Sequence, residues 1–188
     1  MSRKKHFNLS TYSEEDYNSN DGMLTTVWGP SQWHVLHTIS FNYPVKPTSD
    51  DKHKYRNYIL SLKNVLPCGK CRENFRTNLI KLPLKMSNMK SRLTFSKYIF
   101  DLHELVNEML GKKSGLTFDN VRNTYENFRS RCLKSEKLKL YLNKTIKKES
   151  GCTKPLYGKK AKCLLRIVPQ EDKEPTFQVD AECIKKLI

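Results

Sequence analysis

Polar residues fill the first 22 positions of the chain with no apolar period, and a helical pattern begins only at Met23. Ser, Asn, Asp, Glu and Tyr dominate that opening, which predicts a flexible arm over residues 1–22. Between Trp28 and Phe41, the residues Trp33, His37 and Phe41 recur every four positions with Leu36 and Ile39 beside them. That spacing places them on one face of a first helix, which Tyr43-Pro44 and Pro47 bring to an end. Tyr55, Tyr58, Ile59, Leu62 and Leu66 predict a second helix reaching Pro67, and a third starts at Cys68 and carries Phe75, Leu79 and Ile80 before Pro83. A fourth runs from about Phe95 to Leu110 through Ile99, Leu102, Leu105, Val106 and Met109, closed by Gly111, and a shorter fifth spans Val121 to Phe128.

Helices on short loops, with no strand pattern before residue 150, predict an all-α four-helix bundle with a short fifth helix over residues 23–133. Residues 134–150 are basic and read as a linker or a helix extension. The texture changes again at Gly151. Leu164–Val168 and Thr176–Val179 look like short strands in a small C-terminal appendage over 151–188.

Charge widens the range of partners. Lys and Arg number 35 against 19 Asp and Glu, a net +16 that is compatible with nucleic acid, an acidic partner or a membrane surface. The basic residues are scattered in ones and twos, so most of them read as solvated surface. No apolar run of signal-peptide length opens the chain, and none approaches the ~18 residues of a membrane span. In a chain without a secretory address, six cysteines with one tight pair point to redox chemistry or metal rather than a structural framework.

That pair is Pro67-Cys68-Gly69-Lys70-Cys71. Proline favours an abrupt helix start, so Cys68 falls at an N-terminus whose unpaired N–H groups favour a thiolate, with Cys71 one turn behind it. Exchange with an incoming thiol or disulfide therefore suits Cys68. A zinc site would need a second ligand pair, and no second Cys-x-x-Cys or close His pair follows. A thioredoxin-like site would need a strand before the motif, whereas the surroundings here are helical.

The order of motifs resembles a known family. Trp28-Gly29-Pro30-Ser31-Gln32-Trp33-His34-Val35-Leu36-His37 is followed by Pro67-Cys68-Gly69-Lys70-Cys71, then by Leu102-His103-Glu104-Leu105-Val106-Asn107 and Leu110-Gly111-Lys112. This looks like the Erv/ALR family of FAD-linked sulfhydryl oxidases, most of all its members from large DNA viruses. The resemblance implies a helical bundle holding FAD. It also implies that Gly29, Trp33, His37, Phe41, Cys71, His103, Asn107, Lys112 and Tyr125 line the cofactor site. The spacing suits that role: Trp33 and His37 lie one turn apart, His103 and Asn107 repeat the interval, and Lys112 could meet the pyrophosphate. Two positions depart from the pattern. Glu104 stands where the family has Asn, and Phe118-Asp119-Asn120 lacks the Cys that often follows Phe-Asp.

By the same resemblance, protein dithiols reduce the Cys68–Cys71 disulfide, electrons pass through Cys71 to FAD, and O₂ accepts them to give H₂O₂. A homodimer through the first helices and a setting in host cytoplasm or the virion belong to the same expectation. Cys152 and Cys163 bracket a short loop that a structural bridge could close. The alternative reading is a basic nucleic-acid-binding protein with a small structural metal site.

Overall fold

The computed structural model describes residues 13–133, 151–164, 166–169, 171–172 and 178–184, with backbone alone for 131–133, 151 and 153. Its helices are α1 (Glu14–Tyr17), α2 (Thr25–Phe41), α3 (Ser49–Val65), α4 (Gly69–Lys81), α5 (Arg92–Met109) and α6 (Phe118–Glu126). Local chemistry fixes where they begin. Thr48 and Asp51 form a reciprocal capping box at α3, Ser91 and Thr94 at α5, and Thr117 and Asn120 at α6. Each box satisfies N–H groups that a helix start leaves without partners. Pro67 stands between α3 and α4 and prevents the two from continuing as one helix.

Helix α5 lies at the centre, packed on α2, α4 and α6, while α3 pairs with α4. Ile59 and Leu62 of α3, Phe75 of α4, Phe95, Ile99 and Leu102 of α5, and Leu36 of α2 form a continuous buried cluster. Two buried phenols tie the connecting segments to it. Tyr43 donates to the Met89 carbonyl at 3.0 Å, and Tyr98 donates to the Leu82 carbonyl at 2.9 Å. Both hydroxyls would otherwise be buried without partners, at a cost greater than the bond itself contributes. No helix among the described residues is long and apolar enough to cross a membrane.

The all-α bundle with a short fifth helix is as expected, α1 being an addition within the expected arm, whose residues 1–12 lie outside the described residues. The strands fall elsewhere. β1 (Ser130–Leu133) pairs antiparallel with β2 (Gly151–Pro155), matching Ser130 to Pro155 and Arg131 to Lys154. Leu164 and residues 166–168 are not in a strand, nor is Val179; Leu165, Thr176 and Phe177 lie outside the described residues, as does the basic segment 134–150. Leu164 is 84% exposed and Ile167 75% exposed. An apolar run becomes a strand only when a partner edge and a covering face are present, and no strand among the described residues pairs with this run. β1, by contrast, leaves α6 directly, and the Leu156 N–H closes onto the Arg129 carbonyl at 2.8 Å.

Candidate redox and cofactor site

Cys68 is the N-cap of α4, in extended backbone conformation, and its sulfur accepts the Cys71 N–H at 3.1 Å. The two cysteines form a disulfide with their Cα atoms 5.1 Å apart, and both are half-buried. The pair therefore combines the helix-start position read from Pro67 with partial access for a reacting partner. Arg72 braces the turn from behind, donating to the Leu66 carbonyl at 2.6 Å.

A segment from the other side of the sequence closes over this turn. The Met23 N–H donates to the Pro67 carbonyl at 2.8 Å, and Trp28 Nε1 donates to the Met23 carbonyl at 3.0 Å. Gly22 lies so close that a Cβ there would fall 2.8 Å from the Pro67 oxygen and 2.9 Å from the Cys68 Cα. Only glycine fits that approach. The same arrangement brings Thr25, the first residue of α2, to the Cys68–Cys71 pair, with Oγ1 3.5 Å from the Cys71 sulfur.

The face predicted on the first helix forms a wall of flat rings with α5 and α6. Trp33 stacks on His103 at 4.0 Å between centroids and 8° between planes. His37 meets His103 through a hydrogen bond, Nε2 to Nδ1 at 3.0 Å. Phe41 stacks on Tyr125 at 5.3 Å, and His37 lies 5.2 Å from the same Tyr125 ring. Burial, reinforced by His103 and His34, pushes His37 down to about 3, while burial pushes His103 down to about 4 against an opposing pull from Glu104. Both imidazoles are thus neutral near pH 7, since a desolvated site penalises the charged form. Burial likewise raises the Tyr125 phenol, which remains protonated.

Trp33, His37, Phe41, His103 and Tyr125 lie together in the ring wall, and Cys68 and Cys71 are joined at the start of α4. Asn107 and Lys112 stand further along. Asn107 Nδ2 donates to Glu104 at 3.0 Å, and the Lys112 backbone N–H donates to the Asn107 carbonyl at 2.8 Å with its side chain exposed. Glu104, the departure from the family pattern, is held on its other oxygen by Ser114 at 2.9 Å. Gly29 is buried, and a Cβ there would meet only the Thr25 methyl at 3.5 Å, an ordinary contact. Protein packing therefore does not by itself demand glycine at this position.

The sequence reading missed four contributors. His34 hydrogen-bonds Tyr125 at 3.2 Å, and Phe118 stacks on Phe41 at 6.0 Å. His34 lies three residues before His37, a spacing that helical geometry could have flagged. Thr25 and Gly22 gave no local signal, because their role depends on a contact with a turn more than 40 positions away. The expected Cys152–Cys163 bridge does not form: Cys152 is disulfide-bonded, whereas Cys163 is a free, exposed thiol. Cys152 sits in a strand paired with β1, while Cys163 lies in an irregular segment beyond that strand, so the hairpin rather than the loop sets the geometry.

Residues 30–129, which make up 100 of the chain's 188, match the Erv1 / Alr family. A protein of Acanthamoeba polyphaga mimivirus, named as a probable FAD-linked sulfhydryl oxidase, is 41% identical over 86 residues. That match covers 46% of this chain and 60% of the mimivirus protein. The FAD-linked sulfhydryl oxidase of African swine fever virus is 31% identical over 53% of this chain and 80% of its own length. The crystal structure of the yeast Erv1 core superposes with a TM-score of 0.50 at 20% identity, over 65% of this chain and 96% of that one. At that identity the structural likeness establishes the helical fold alone.

Proposed function

The chain belongs to the Erv1 / Alr family, and from that membership and the geometry above we propose that it is a FAD-dependent thiol oxidase making disulfide bonds in protein substrates. The observation that carries the reading is the Cys68–Cys71 disulfide, set at a helix N-terminus and half-open to an incoming thiol. A substrate thiolate attacks the Cys68 sulfur, the Cys68–Cys71 bond breaks, and Cys71 leaves as a thiolate. The second substrate thiol, as its thiolate, attacks the substrate sulfur of the mixed disulfide and releases Cys68. The substrate leaves with a new disulfide, and the chain holds two reduced cysteines.

The ring wall fits FAD on three counts. It offers flat apolar and imidazole faces from Trp33, His37, His103, Phe41 and Tyr125. His37 Nδ1 is buried with no hydrogen-bond partner among the described residues, a state that a bound polar group would relieve. Gly29 leaves room that protein packing does not fill. Asn107 and Lys112 would complete the site from the end of α5, Lys112 as a cation for the pyrophosphate. When bound, FAD supplies the two-electron acceptor for the reduced cysteines and the route onward to O₂, giving H₂O₂. The neutral imidazoles serve as donors and acceptors there without the cost of a buried charge.

The similarity to viral relatives supports a setting in host cytoplasm or the virion. A homodimer through the first helices is consistent with Val27 and Val35 of α2, which are 42% and 44% exposed. The test is a visible spectrum of the purified protein with the released cofactor identified. FAD should be present, bleach on anaerobic addition of dithiothreitol, and recover in air with production of H₂O₂. Released FMN, no binding at saturating FAD, or a spectrum indifferent to dithiol would overturn the proposal.

A further inference from the structure

The two sulfurs of the redox pair are held by different donors. Cys68 Sγ takes the backbone N–H of Cys71 at 3.1 Å, whereas Cys71 Sγ faces Thr25 Oγ1 at 3.5 Å. In the disulfide, Cys71 sulfur carries no proton, so the Thr25 hydroxyl must be the donor in that contact. Thr25 is not placed there by its own neighbours in sequence. The Met23 N–H bond to Pro67, the Trp28 bond to Met23 and the tight fit of Gly22 on Cys68 fix the start of α2 over the turn. Thr25 is branched at Cβ and stiff in a helix, and its methyl lies over the space beside Gly29 while its hydroxyl meets the sulfur.

We propose that Thr25 is a working member of the redox centre: its hydroxyl stabilises the Cys71 thiolate that leaves when a substrate opens the Cys68–Cys71 bond. This rests on the thiol-oxidase reading given above. In the opening step the S–S bond breaks, a new S–S bond forms between substrate and Cys68, and the electron pair of the old bond stays on Cys71. A donor already in contact with the departing sulfur gains strength as that sulfur becomes an anion, because hydrogen bonds to charged groups exceed those to neutral ones. A thiolate stabilised in this way is also a better leaving group. The helix N-terminus assists Cys68, so Thr25 gives Cys71 a separate donor and makes the two sulfurs inequivalent.

The test uses the full-length, FAD-loaded protein with Thr25→Val, which removes the hydroxyl while keeping shape, and Thr25→Ser, which restores it. In a Cys68→Ser background, pH-dependent alkylation mapped by mass spectrometry to Cys71 gives the acidity of that thiol apart from Cys163 and Cys183. With both cysteines intact, equilibration against glutathione gives the reduced-to-oxidised ratio of the pair. Thr25→Val should lower the Cys71 thiolate population at a given pH by about three- to tenfold, and it should lower the reduced-to-oxidised ratio by up to the same factor at a pH where Cys71 is ionised. Thr25→Ser should return both toward wild type, and the melting temperature should stay within a degree or two for all three. Values for Thr25→Val equal to wild type, or a Ser variant as impaired as Val, would overturn the proposal. Neither readout requires turnover, so a protein that fails to oxidise dithiols would count against the oxidase reading and still decide the role of Thr25.

Discussion

His37 and His103 meet nitrogen to nitrogen at 3.0 Å across the interface of α2 and α5, with one ring donating and the other accepting. That bond exists only while at least one of the facing nitrogens is unprotonated. Burial enforces the neutral state, holding His37 at about 3 and His103 at about 4 against an ordinary value of 6.5. Unfolded chain binds protons on both rings below pH 6.5, whereas the folded protein binds them only two or more units lower. The unfolded state therefore gains protons first, and folding stability falls as pH drops from about 6.5 towards 4. Urea midpoints measured from pH 7.5 to 4.5 should decline more steeply for the native chain than for a His37→Asn/His103→Asn double variant. Parallel declines would remove this pair as the cause.

Trp33 covers His103 face to face, and the same indole is the broadest flat surface in the ring wall. Trp33→Ala should weaken FAD binding by about tenfold or more, in line with the energy of one aromatic stack plus the buried area lost. Trp33→Phe should retain most of the affinity. Fluorescence titration of FAD into the apoprotein measures both. Equal affinity for the Ala variant would place the cofactor elsewhere.

The two redox cysteines should fail differently. Cys71→Ser leaves Cys68 able to accept a substrate thiol from a mixed disulfide but with no internal partner to complete the exchange, so trapped adducts should map to Cys68. Cys68→Ser should trap far less, because Cys71 packs against the apolar core. Both should lose dithiol oxidation. Peptide mapping after incubation with an oxidised dithiol distinguishes them, and adducts predominantly on Cys71 would reverse the roles.

The bundle was legible in the sequence because its helices announce themselves locally. The apolar periods of Ile59–Leu62 and Ile99–Leu102, and prolines at 44, 67 and 83, mark faces and ends that tertiary packing did not have to override. The ring wall was legible for the same reason, since Trp33, His37 and Phe41 share one stripe of one helix. What could not be read was contact between distant segments. The approach of Gly22 to Cys68, the reach of Thr25 to Cys71 and the pairing of β1 with β2 depend on which surfaces meet after folding. A strand needs a partner that no local propensity supplies, and so Leu164–Val168 was misplaced.

Tyr43 offers a direct measure of how tightly the connecting segments are bound to the core. Its ring is fully buried, touches Phe95 edge to face at 5.0 Å, and donates its hydroxyl to the Met89 carbonyl. Tyr43→Phe keeps the ring contacts and leaves that carbonyl without its donor. The expected loss is about 1–2 kcal/mol in urea denaturation, with FAD content unchanged. A neutral result would mean that the Met89 carbonyl finds another partner.

The cysteines beyond the bundle differ in bonding state. Cys152 is in a disulfide and lies in β2, which is hydrogen-bonded to the strand leaving α6, whereas Cys163 and Cys183 are free thiols. A two-stranded hairpin is marginal alone, and a cross-link that restricts the unfolded chain stabilises the folded one by about 2–4 kcal/mol. Cys152→Ser should therefore lower the unfolding midpoint of the hairpin region, followed by hydrogen exchange at residues 130–133 and 151–156. Cys163→Ser should leave exchange there as it was, since no bond is lost. Oxidation of dithiothreitol should survive in both variants: the Cys68–Cys71 turn lies on α4, and Arg129 anchors α6 to α2 independently, donating to the Phe41 carbonyl at 2.9 Å. Loss of protection in Cys163→Ser equal to that in Cys152→Ser would show that Cys163 is the bridging partner after all. Loss of dithiothreitol oxidation in Cys152→Ser, with FAD still bound, would instead make the hairpin cysteine part of the electron path.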